Sequence, residues 1–243
     1  MCPAMASERV LLIVPTYNER DNVRDVAQEF LEPLPGSELL FVDDASPDGT
    51  GEVIEEIRAK DPRVHALHRE GKLGLGTAYL EGFAFGLERG FDYLVEMDAD
   101  FSHDPRHLPA LVDLCRQGAD VAVGSRYVEG GGTVNWGIGR QALSRGGGLY
   151  ARTVLGVSIR DLTSGFVCYR REALEALDLA DVQSNGYSFQ IEMKYRAVKA
   201  GLRVVEHPIV FVDRRVGQSK MSRAIFAEAL LMVWKLRLRG RAS

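Results

Sequence analysis

The strongest constraint on this chain is an alternation in its first half. Short apolar runs rich in β-forming residues occur at "RVLLIVPTY" (9–17), "ELLFVDD" (38–44), "RVHALHR" (63–69), "DYLVEMD" (92–98) and "ADVAVGSRY" (119–127). Segments with helical spacing separate them, at 21–34, 46–62, 74–90 and 105–118. Pro33 and Pro35 stop the first helix, and Pro62 follows the second. Strands alternating with helices of ~10–15 residues build βαβ units and a mostly parallel sheet, an α/β, Rossmann-like fold class. The second half is less regular. It holds a glycine-rich basic stretch at 129–148, a helix from about Ile138 to Leu155, and a strand entering a helix at 161–174. An amphipathic helix at 188–201 and a strand pair broken at Pro208 follow.

In an open parallel sheet, ligands bind beyond the carboxyl ends of the strands. Every strand end here carries polar groups: "PTYNE" (15–19), Asp43-Asp44, Asp98-Ala99-Asp100 and Ser125-Arg126. One lone aspartate at such a place is an ordinary helix cap. Several carboxylates converging on one rim need a cation, because their repulsion otherwise raises a pKa. Oxygen ligands of this hardness favour Mg²⁺ or Mn²⁺.

Charge is unevenly spread. From Arg214 to Ser243 there are eight Lys or Arg and one acid, Glu228, in a chain whose formal net charge is −4. That asymmetry points to an anionic partner: a phosphate, a membrane surface or nucleic acid. From Arg126 to Arg171 there are seven arginines against two acids, Glu129 and Asp161. Arginine suits planar, multi-donor phosphate recognition. The three cysteines are far apart with no CxxC spacing, so a reduced compartment is the simple reading. "MCPAMASERV" lacks the apolar core of a signal peptide, and "ALLMVW" (229–234) is too short to span a bilayer, so a soluble or peripheral protein is expected. Helix 222–240 has a broad apolar face (Phe226, Leu230, Val233, Trp234) and a basic end, which suits an interfacial helix or a packed helix with a basic tail. The acidic body and the lack of a recognition module argue against nucleic acid. His103 and His107 stand i, i+4 without a third partner; Trp136 either gates a site entrance or packs.

The ordered segments "VPTYNE", "FVDDASPDGT", "GLGTA", "MDADFSHDP", "GSRY", "TSGF" and "GQSK" cover about residues 9–222. The series resembles glycosyltransferase family 2 enzymes of GT-A fold, and within them dolichol- or polyprenol-phosphate mannose synthases. The resemblance implies a tail at 1–8, a catalytic domain at 9–221 and a basic amphipathic helix at 222–243. It implies a GDP-mannose donor whose nucleoside meets Pro15, Tyr17, Glu19, Val42 and Asp44. Asp98, Ala99 and Asp100 would form the DxD element, with Asp98 and Asp100 on the metal. Ser102 stands where archaeal members have a glutamine ligand, which makes it the third-ligand position. Arg214 and Lys220 would grip the donor phosphates, and Gln218 replaces the glutamate of many relatives. Arg126, Arg140 and Ser144 would take the acceptor phosphate; Arg126 would also meet the nucleotide sugar and, with Asp98 and Asp100, form the catalytic set.

A polyprenyl monophosphate is already an anion, so it attacks without a general base, and direct inversion gives a β-linked product. Other readings are a different donor, such as UDP-glucose or UDP-GlcNAc, a saccharide acceptor, or a non-catalytic nucleotide-sugar binder. A lipid acceptor places the protein on the cytoplasmic face of a membrane. The resemblance also implies a membrane-embedded partner protein, on which related synthases without membrane spans often depend.

Overall fold

The computed structural model describes residues 8–184, 186–212 and 231–238, with the side chain of Tyr187 excepted. A seven-stranded sheet forms the centre, in the order β3-β2-β1-β4-β7-β5-β8. Its strands are β1 (Val10–Thr16), β2 (Glu38–Asp43), β3 (Val64–His68), β4 (Tyr93–Glu96), β5 (Val121–Ser125), β7 (Val167–Arg170) and β8 (Val204–Pro208). The helices are α1 (Val23–Leu31), α2 (Thr50–Arg58), α3 (Leu75–Glu88), α4 (Leu108–Arg116), α5 (Ile138–Leu155), α6 (Arg171–Glu175) and α7 (Gly186–Lys199). Two short strands, β6 (Gly132–Val134) and β9 (Val210–Val212), pair in parallel beside the main sheet.

The expected alternation is present, and β1, β2, β3 and β4 pair in parallel. The exception is β7, which runs antiparallel between β4 and β5. It fills the place between β4 and β5, which are joined in sequence through α4.

β1 is central and almost continuously buried, as a strand covered on both faces must be. It nonetheless contains Pro15. Ile13 accepts from the Met97 amide on the β4 side, so Pro15, two residues on, faces that same side past the last β4 pairing. The missing N–H therefore costs no ladder bond. α3 lies close on the sheet because it carries glycines where it crosses. A Cβ on Gly82 would meet Ile13 at 2.5 Å, and one on Gly86 would meet Leu94 at 2.4 Å. Two apolar cores result, one on each face of the sheet. A third gathers Ala151 and Leu155 of α5, Tyr195 of α7, and Val233 and Leu236 of helical segment 231–238.

Candidate active site

Among the described residues, four non-glycine residues adopt left-handed backbone: Asn18 (φ 59°), Ala45 (φ 52°), Phe101 (φ 58°) and Asn135 (φ 64°). The first three follow β1, β2 and β4 at one edge of the sheet, and the fourth precedes Trp136. Strain of this kind persists where surrounding structure over-determines the backbone, and it gathers at functional sites. This edge is the one where the sequence places its charged strand ends.

On one side of the edge, the two aspartates after β2 divide their work. Asp43 is buried and accepts from the Thr16 hydroxyl (2.9 Å) and from the Ser46 hydroxyl (2.6 Å) and amide (3.0 Å). Asp44 accepts from the Arg69 guanidinium and from the Gly74 amide (3.1 Å). Arg69 also donates to Thr77 (2.7 Å) and Glu81 (3.0 Å). Asp44 thus fixes loop 70–74, where Lys72 lies 3.9 Å above the Tyr17 ring. Pro15, Tyr17 and Glu19 are half-buried on the same rim, whereas the Val42 side chain belongs to the core. Arg69 was not singled out in the sequence, although a charge closing the third strand is the signal that marks the other strand ends.

The edge's centre is the turn after β4. Asp98 and Asp100 are half-buried, and Ala99 between them is buried. Ser102 is buried and donates both its amide and its hydroxyl to Asp100 Oδ1, which orients that carboxylate. The Tyr79 hydroxyl lies 3.5 Å from Asp98 Oδ1 and donates to the Met97 carbonyl at 3.2 Å. Burial, reinforced by Asp98, pushes the Tyr79 phenol well up, so it stays a neutral donor. Across from this turn is Gly165, where a Cβ would stand 3.6 Å from Asp98 Oδ2; the glycine keeps the space beside that carboxylate clear. Among the described residues no group of three His, Cys, Asp or Glu is arranged to hold a metal alone. Two carboxylates beside cleared space do fit Mg²⁺ or Mn²⁺, which complete their shells with water and phosphate oxygens.

Behind the turn, Glu96 is fully buried and accepts from the Gln190 amide at 2.8 Å. Lys194 of α7, also fully buried, donates to the Gln190 side chain (2.9 Å) and to the Ser164 carbonyl (2.7 Å). Burial raises the Glu96 carboxyl and lowers the Lys194 ammonium toward one another. This network ties strand β4 to loop 161–165.

That loop organises the other half of the site. Asp161 accepts from Arg126 Nε and Nη2, each at 2.7 Å, and from the Arg126 amide at 3.0 Å. Thr163 accepts from the same Nη2 at 2.7 Å. Burial alone would raise the Asp161 pKa, but the Arg126 charge and hydrogen bonds outweigh it and hold the carboxyl below its ordinary value. Ser144 of α5 shares a 2.6 Å hydrogen bond with the Tyr127 hydroxyl, and Arg140 lies 4.1 Å over the Trp136 ring. His103 is buried between Phe166 and Phe211, and burial pushes its imidazole down to about 4, so it is neutral. His107 instead faces His207 at 3.3 Å, which separates the i, i+4 pair. Arg214 and Lys220 lie outside the described residues.

The model of the family described as "Glycosyl transferase family 2" matches residues 11–178. The chain belongs to this family. The family 2 glycosyltransferase is 49% identical over 236 residues to a polyprenol monophosphomannose synthase of Mycolicibacterium smegmatis, covering 97% of this chain and 89% of the relative. It is 48% identical over 233 residues to an undecaprenyl-phosphate mannosyltransferase of Micrococcus luteus, covering 96% of each. Its fold matches the solved glucosyl-3-phosphoglycerate synthase of Mycobacterium tuberculosis, in complex with Mn²⁺, UDP and glucosyl-3-phosphoglycerate, with a TM-score of 0.66 at 21% identity. That match covers 96% of this glycosyltransferase and 80% of the solved chain. The GT-A fold class is thereby established for this enzyme.

Asp161→Asn leaves the Arg126 guanidinium buried without its counter-charge and is expected to destabilise the enzyme by about 3–5 kcal/mol, measured by urea unfolding. Because the folded-state pKa of Asp161 is depressed, its contribution is present above the unfolded pKa and is lost as pH falls through the folded one. The stability gap between wild type and Asp161→Asn therefore narrows in acid. A gap that widened there would contradict this assignment.

Proposed function

We propose that this enzyme transfers mannose from GDP-mannose to a polyprenyl monophosphate with inversion, giving a β-linked mannosyl phospholipid. Near-half identity along almost the full chain to two polyprenyl-phosphate mannosyltransferases carries this reading. The chemistry of the site supports it. The donor nucleoside lies against Pro15, Tyr17, Glu19, the Val42 backbone and Asp44, with Arg214 and Lys220 assigned to the donor phosphates. Asp98 and Asp100 would hold Mg²⁺ or Mn²⁺, which would offset charge on the leaving diphosphate.

Arg126, Arg140 and Ser144 hold the acceptor phosphate. The pairing of Arg126 with Asp161 fixes its guanidinium plane before substrate arrives, so little reorganisation remains at the moment of reaction. An acceptor phosphate oxygen forms the new bond to the anomeric carbon, and the bond to GDP breaks with its electron pair leaving on GDP. The nucleophile is an anion already, so no side chain need remove a proton. His103, packed between Phe166 and Phe211, is given no part in that step. Asp100→Asn is expected to lower mannose transfer by about a hundredfold or more at saturating Mn²⁺; full retention would contradict the DxD assignment.

The lipid chain of the acceptor places the enzyme at a membrane surface, although no helix among the described residues is long and apolar enough to cross one. The docking face we assign is α5 together with segment 231–238. α5 exposes Ile138 (88%), Leu143 (48%) and Leu149 (62%), and segment 231–238 exposes Leu231, Trp234 and Leu238. Neither carries an acid, and both carry arginine or lysine. Arg237 donates to the Leu155 carbonyl at 3.2 Å, which seats the two helices together. Apolar side chains among cations suit an interface of anionic lipid. The buried, unpaired Cys115 and Cys168 fit a reducing compartment, hence the cytoplasmic face.

Leu149→Glu is expected to cut co-sedimentation with phosphatidylglycerol vesicles about tenfold, from lost apolar burial and like-charge repulsion, while leaving transfer to a water-soluble prenyl phosphate unchanged. Equal pelleting of both forms would contradict the α5 face. Pelleting of neither would assign attachment to a membrane-embedded partner protein.

A further inference from the structure

Trp136 has no assigned part in the reaction, yet it touches both described arginines given to the acceptor phosphate. The Arg140 guanidinium carbon lies 4.1 Å from the centre of its ring, and that of Arg126 lies 5.7 Å away. The residue is held from several directions. Left-handed Asn135 (φ 64°) turns the chain into it. Gln141 of α5 donates to its carbonyl at 3.2 Å. Pairing of Thr133 with Phe211 in the small sheet brings Phe211 edge-on to the indole, with ring centres 5.5 Å apart and 72° between planes. Phe211 also lies 5.3 Å from the Arg126 guanidinium carbon.

The indole carries a penalty. Its Nε1 is buried without a hydrogen-bond partner in the ligand-free chain. A phenylalanine would avoid that desolvation. The larger indole face is, however, the strongest cation–π partner among the side chains. Asp161 balances the charge of Arg126, and the indole ring near both guanidiniums adds an attraction that bears on the placement of each. A phosphate is bound by N–H groups in the guanidinium plane, which a neighbouring aromatic ring leaves available.

We propose that Trp136 is a positioning residue of the acceptor-phosphate clamp, setting the spacing of Arg126 and Arg140 through its indole face. This rests on the functional reading above, in which those arginines take the acceptor.

The test is steady-state kinetics of the full chain with GDP-mannose and a short water-soluble prenyl phosphate, comparing wild type, Trp136→Phe and Trp136→Ala. Trp136→Ala is expected to raise the acceptor KM about tenfold, with the GDP-mannose KM unchanged. Trp136→Phe, which keeps an aromatic face, falls between the two and unfolds at no lower temperature than wild type. The proposal is overturned if Trp136→Ala leaves the acceptor KM unchanged, or if both KM values rise together as general loosening would produce. Should the alanine variant not fold, the phenylalanine variant decides by the same split. Failure of the functional reading looks different: wild type itself then transfers nothing to the prenyl phosphate.

Discussion

The arrangement depends on one constraint: β1, β2 and β4 run through the middle of the sheet with both faces covered. β1 is buried at every residue but Pro15, β4 at every residue, and β2 at all but Glu38. A charge within such a strand loses its water, so charge gathers where the strands stop. Parallel strands stop at one edge, and the repeated βαβ connection therefore stacks carboxylates and cations along a single rim. The two acids that remain inside, Asp43 and Glu96, are each held by a hydrogen bond from a neighbouring element. Asp98 and Asp100 repel each other on this rim, and repulsion at a preformed turn is what makes a divalent cation favourable there.

The half built around Arg126 solves a different problem. In the proposed reaction it presents positive charge to a phosphate without leaving lone cations buried. Arg126 is therefore paired with Asp161 and oriented, not merely placed. Loop 161–165 connects this pair to the DxD turn, since Gly165 faces Asp98 and the Ser164 carbonyl is held by Lys194. The two halves of the rim thus share one support, built from Gln190 and Lys194 of α7. Rigid mounting of this kind suits a reaction whose barrier is lowered mainly by alignment and fixed charge.

The first half of the fold was legible because its signals are local: apolar runs, helical spacing, and prolines or glycines at each break. The rim was legible for the same reason, since strand ends can be read off the runs. The antiparallel insertion of β7 was not, because nothing in "VCYR" says which neighbours it takes. The Arg126–Asp161 pair spans 35 residues and the Lys194–Ser164 bond spans 30, beyond any periodicity. Asp161 stood in plain view as one of two acids in an arginine-rich stretch, and its scarcity was the available clue. At Ser102, the third-ligand position by resemblance, the hydroxyl donates to Asp100 and orients that carboxylate, a contact no local pattern signals. Arg69 and Gln190 show their parts only once the chain is folded.

The central claim is that the nucleophile is a lipid phosphate and the donor GDP-mannose. It is tested most directly by incubating the purified chain with Mn²⁺ and either GDP-mannose or UDP-glucose, each against polyprenyl phosphate and against the free polyprenol, and weighing the lipid products by mass spectrometry. One product is expected, mannosyl-phosphoryl-polyprenol, formed with one GDP released per sugar transferred and only when the acceptor carries its phosphate. Glycosylation of the free polyprenol, or equal transfer from UDP-glucose, would contradict it.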